Sequence, residues 1–102
     1  MEAGEQPQFQ FRVPPELEGG AYSNMVGVWH TPHEFTLDFS VTLPVAQTEQ
    51  GMVLPCQVVA RLKVAPTLVF ELMRALNENM TRYEQAFGEI RRPEPPEEAS
   101  GP

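Results

Sequence analysis

Phe35, Leu37, Phe39 and Val41 alternate with Glu34, Thr36, Asp38, Ser40 and Thr42. A period of two over this stretch predicts a β-strand with one core-facing side and one wet side. Residues 56–64 repeat the pattern, with Val58, Ala60, Leu62 and Val64 set against Gln57, Val59, Arg61 and Lys63. Residues 21–30 predict another strand. Tyr22, Val26 and Val28 share one face, and Met25 and Trp29 share the other, so both faces call for cover. Thr31, Pro32 and His33 supply a turn, which makes the strands at 21–30 and 34–42 a hairpin. Residues 43–55 hold Pro44, Gly51 and Pro55 among polar residues and read as a long loop or a frayed hairpin tip. The strand at 56–64 is expected to return antiparallel beside 34–42.

The period changes after Ala65. Val69, Leu72, Leu76, Met80, Tyr83 and Phe87 recur at spacings of three and four, the apolar stripe of a helix. Pro66 suits the first helical position because its missing N–H would be unpaired there anyway. Gly88 suits the residue after the last turn. Arg74, Glu78 and Arg82 stand four apart and predict charge pairs on the wet side. Asn77 and Asn79 are weak helix formers at mid-helix, facing either solvent or a partner.

These elements predict an α+β fold. A three-stranded antiparallel meander, four-stranded if residues 8–13 join it, is followed by one long C-terminal helix packed on one face. The expected core is Phe35, Leu37, Phe39 and Leu62, with Val58 and Ala60, under Leu72, Leu76, Met80 and Tyr83. Residues 1–20 read as a flexible arm. Within it Phe9, Phe11 and Val13 alternate with polar residues as a candidate edge strand. Residues 21–88 form the single domain, and 89–102 a disordered, acidic, proline-rich tail.

Composition narrows the function. The chain has 102 residues, 41% hydrophobic, enough for one small core and too few for separate cofactor and substrate domains. Eleven prolines and seven glycines sit largely in the loops and ends. The formal net charge is −7, and most of the excess lies in the arm and the tail, where it aids solubility. No basic stripe of the kind that displaces counterions is present, so nucleic acid is not an expected partner. No apolar run approaches the roughly 20 residues of a membrane span. Cys56 is the only cysteine, which excludes an intramolecular disulfide and fits a reducing cytoplasm.

Candidate chemistry is sparse. His30 and His33 form an H-x-x-H followed by Glu34 and are the candidate metal ligands. Pro32 places them in a turn rather than on one helix face, so a cross-strand or turn role for His30 is the stronger expectation. Cys56 follows a proline at a strand start, away from any helix N-terminus that would lower its pKa. No catalytic residue and no cofactor are assigned. Arg61 is expected to pair across the sheet with Asp38 or Glu34, or to meet a ligand carboxylate.

Leu68, Phe70 and Met73 widen the helix stripe beyond what one sheet face needs. Together with Met25 and Trp29 they predict a second buried surface. Met25, Trp29, Phe70 and Met73 are the expected interface of a homodimer that also binds another protein.

Five blocks carry a resemblance. They are Tyr-Ser-Asn at 22–24, His-Thr-Pro-His-Glu-Phe-Thr-Leu-Asp-Phe at 30–39, Val-Ala-Arg-Leu at 59–62, Ala-Pro at 65–66, and Leu-Asn-Glu-Asn-Met-Thr-Arg-Tyr-Glu-Gln-Ala-Phe-Gly-Glu-Ile at 76–90. In this order they resemble a small prokaryotic family catalogued as DUF3467. The resemblance implies a fold and no activity. Ala65 departs from the serine usual before the helix proline, and Trp29 from a small or polar residue. Four antiparallel strands and a helix would also be similar, in element order alone, to the SecB-like export chaperones. The functions expected are a non-enzymatic dimeric adaptor or scaffold, a holdase that grips extended segments, or a small-molecule or metal binder at the His30–His33 turn.

Overall fold

Proline and glycine set the limits of the longest element. In the computed structural model, which describes residues 6–92, helix α1 runs Pro66–Phe87. Ala65 is extended and offers no side-chain cap, so the first turn is closed by Leu68 N–H donating to the Ala65 carbonyl at 2.9 Å. At the other end Gly88 has φ 100°, a conformation that a Cβ disfavours. Its N–H donates to the Glu84 carbonyl at 2.9 Å.

The strands are β1 (Met25–His30), β2 (Phe35–Thr42), β3 (Ala46–Thr48), β4 (Gly51–Val53) and β5 (Cys56–Val64). A three-stranded sheet has the order β1-β2-β5, and β3 and β4 form a separate pair. The fold is α+β, with an antiparallel sheet and a long C-terminal helix. Strand β1 begins later than residue 21 because short polar side chains take over the pairing there. Ser23 Oγ donates to the Ser40 carbonyl at 2.8 Å, and Thr42 N–H donates to Asn24 Oδ1 at 3.0 Å. Residues 43–55 are more regular than a loop. Ala46, Gln47 and Thr48 pair antiparallel with Val53, Met52 and Gly51, and Leu43 N–H donates to the Pro55 carbonyl at the base.

The candidate strand at 8–13 does not form. Those residues are exposed, Phe11 at 91%, and a short 3-10 turn follows at Pro15–Leu17. Alternation needs a neighbouring strand to become a β-strand, and none pairs with this segment. Among the described residues the four-strand order on which the SecB likeness rested is not formed, and that likeness stays unconfirmed. The expected tail lies mostly outside the described residues.

The chain resolves into two compact units. Among the described residues, one holds the chain up to Trp29 with Thr36–Leu62, and the other holds His30–Phe35 with the chain from Lys63 to residue 92. In the first unit the core centres on β2, where Leu37 is 8% exposed. Thr36, Asp38 and Ser40, expected on the wet face, are buried too. A central strand is flanked on both sides, and at Asp38 the side chains of Trp29 and Arg61 reach in from those flanking strands. Phe39 is half-buried, whereas Val58 and Leu62 on the same apolar face are exposed.

The second unit departs further from the expected core. Phe35 and Leu72 are half-buried, but Leu76, Met80 and Tyr83 are exposed. No residue of α1 is buried. Within this unit the stripe has the expected period, with Val69 and Leu72 half-buried and its C-terminal part exposed.

Candidate functional site

Asp38 organises the polar face of the sheet. It sits on the central strand, 5% exposed, where a bare carboxylate would be costly. Arg61 on β5 answers it with a two-pronged contact. Nε donates to Oδ1 at 2.6 Å and Nη2 to Oδ2 at 2.9 Å. From β1, Trp29 Nε1 also donates to Oδ2, at 2.9 Å. This fork geometry is the strong form of a charged hydrogen bond. The hydrogen bonds and charge of Asp38 raise the Arg61 pKa above its already high ordinary value. Among the described residues no buried side-chain polar atom lacks a partner.

Gly27 makes room for this arrangement. A Cβ on Gly27 would stand 3.0 Å from Trp29 Cζ2 and 3.5 Å from Cε2. A side chain at residue 27 would push the indole away from β1 by a few tenths of an ångström. Gly27, Trp29, Asp38 and Ser40 line a shallow depression of about 320 Å³. The outer face of the indole remains open, and the Arg61 side chain is also exposed. Within the second unit, Lys63 Nζ donates to Glu34 Oε1 at 3.0 Å.

The expected pairing of Arg61 with Asp38 is thus present. The role of Trp29 in binding that carboxylate was missed, because alternation placed Trp29 on a face without showing which β2 residue lay beside it. The sequence signal was Gly27, two positions before a tryptophan on the same face.

The histidine turn is held by other groups. His30 stacks obliquely on Phe35 with ring centroids 5.5 Å apart, the cross-strand role expected for it. His33 N–H and Glu34 N–H both donate to Thr31 Oγ1, and Thr31 N–H donates to the Glu34 carbonyl. Among the described residues no three His, Cys, Asp or Glu side chains are placed to hold a metal ion. Cys56 is exposed, with its thiol donating to the Leu54 carbonyl.

The helix carries the larger surface. Phe70 is 81% exposed, and Leu68, Met73, Leu76, Met80, Tyr83 and Phe87 are exposed as well. Tyr83 and Phe87 lie ring to ring at 5.1 Å. Polar residues hold a different side. Arg74 bridges Glu71 and Glu78, with Nη1 donating to Glu78 Oε1 at 2.7 Å. Asn79 Nδ2 donates to the Ala75 carbonyl four residues back, so it serves its own helix. The four expected interface residues, Met25, Trp29, Phe70 and Met73, are all exposed in the single chain.

Among the described residues no helix is long and apolar enough to cross a membrane. The family described as "protein of unknown function (DUF3467)" matches residues 1–92. No curated protein and no solved structure matches the chain.

Proposed function

This chain belongs to the DUF3467 family, and we propose that it works as a non-enzymatic, homodimeric adaptor that binds another protein. One observation carries the reading. A 22-residue helix with a continuous apolar stripe has no buried residue. Exposed apolar patches of this kind mark interaction surfaces. A small domain with Leu37 as its buried apolar residue also needs assembly to gain a core.

The composition of the surface supports protein recognition. Trp and Arg dominate interface hot spots when their geometry is fixed beforehand. Trp29 and Arg61 are fixed by Asp38. The proposed compartment is the cytoplasm, where the exposed thiol of Cys56 stays reduced.

The test uses the purified chain as bait in an extract of its own cells. Wild-type bait should retain a partner that bait carrying Phe70→Glu and Met73→Glu loses. Equal retention by both baits would contradict the reading.

A further inference from the structure

β1 has β2 on one side and, among the described residues, no strand on the other. Its sequence is Met-Val-Gly-Val-Trp-His. An exposed edge strand normally carries a charge, a proline or a bulge, because its free N–H and C=O groups invite another strand. β1 contains no Lys, Arg, Asp, Glu or Pro, and all its residues except Gly27 are exposed.

We infer that the free edge of β1 pairs antiparallel with β1 of a second copy, joining two sheets into one. The inference rests on the homodimer reading above and names its interface. Charge selects the edge. The opposite edge of the sheet is β5, which carries Arg61 and Lys63. Both side chains are held by ion pairs, Arg61 by Asp38 and Lys63 by Glu34, and an edge that carries charged groups of this kind discourages the addition of a further strand. Self-pairing of β1 opposes no like charges. A two-fold axis also makes any such contact the same patch on both copies.

Gly27 indicates the register. With Gly27 opposite Gly27 of the second copy, Trp29 stands opposite Met25, and Val26 stands opposite Val28. The pairs from Met25 to Trp29 are then all apolar, and His30 stands opposite Asn24, beyond the strand. The Trp29 indole already lies against Gly27, so two glycines at the axis leave room for both indoles on that face.

Sedimentation over a concentration series tests this with full-length chains. Val26→Glu combined with Val28→Glu places carboxylates opposite one another in this register. The dimer dissociation constant should rise by ~100-fold. Val26→Lys combined with Val28→Glu places opposite charges there and should restore most of the loss. Gln85→Ala, an exposed helix position with no assigned role, should leave the dimer within about twofold. Amide exchange on the wild type should show β1 protection that grows with protein concentration, a readout that stands even if a variant fails to fold. A dimer that ignores the paired-glutamate variant, or that is not restored by Val26→Lys with Val28→Glu, would overturn the β1 interface and leave the homodimer reading intact. A wild type that stays monomeric at every concentration would instead remove the homodimer reading itself. Protection of β1 that appears only on adding another protein would assign the edge to that partner and overturn self-pairing.

Discussion

Trp29 donates its indole N–H to Oδ2 of Asp38 at 2.9 Å, from β1 to the buried centre of β2. The bond links a buried carboxylate to an exposed tryptophan. Trp29→Phe keeps a ring against Gly27 and removes the donor. Asp38 retains Arg61, so the loss should be that of one hydrogen bond to a charged group, about 1–3 kcal/mol. Denaturant unfolding followed by circular dichroism measures it, and a variant as stable as the wild type would show that the bond contributes nothing.

Asp38→Ala should do more harm than Glu34→Ala. The first removes a buried acceptor that serves both Trp29 and Arg61. The second removes a partner from an exposed pair with Lys63, and such pairs contribute little. The expected result is a clearly lower melting temperature for Asp38→Ala and a small change for Glu34→Ala. The reverse order would mean that the polar face is held from its rim.

Leu37 and Leu76 separate folding from assembly. Leu37 is 8% exposed and Leu76 is 61% exposed. Leu37→Ala should cost about 2–5 kcal/mol, the range for a buried leucine. Leu76→Ala should leave the unfolding of the isolated chain unchanged and weaken retention of the partner protein. Equal effects of both substitutions on unfolding would show that the helix stripe is already covered.

The helix also has a pH signature. Arg74, through its hydrogen bond and then its charge, holds the Glu71 carboxyl below its ordinary 4.5. A lowered carboxyl pKa contributes stability that is present above the unfolded value and is lost as pH falls through the folded one. Arg74→Gln should therefore reduce helicity near neutral pH, and the difference should close once the carboxyls of both Glu71 and Glu78 are protonated in both proteins. Far-ultraviolet circular dichroism across an acid titration measures the convergence.

The elements were legible wherever local chemistry decides them. Residues 56–64 form the strand their alternation predicts, and Pro66 and Gly88 bound the helix. Cover was not legible. Alternation shows which residues share a face, yet it cannot show that Trp29 and Arg61 close over Asp38, or that Leu76 and Met80 stay open. Phe9 and Phe11 alternate as a strand would, but a strand also needs a neighbour. The candidate surface was half visible, since Met25, Trp29, Phe70 and Met73 stood out as surplus apolar residues. Gly27 passed unnoticed because its contribution is an absence of atoms.

Light scattering on the eluting full-length protein tests the assembly reading most directly. The chain mass is 11.5 kDa, and the scattering mass should be twice that at micromolar concentrations, falling toward the single-chain value on dilution. A mass equal to one chain at every concentration, with unchanged melting temperature, would contradict it.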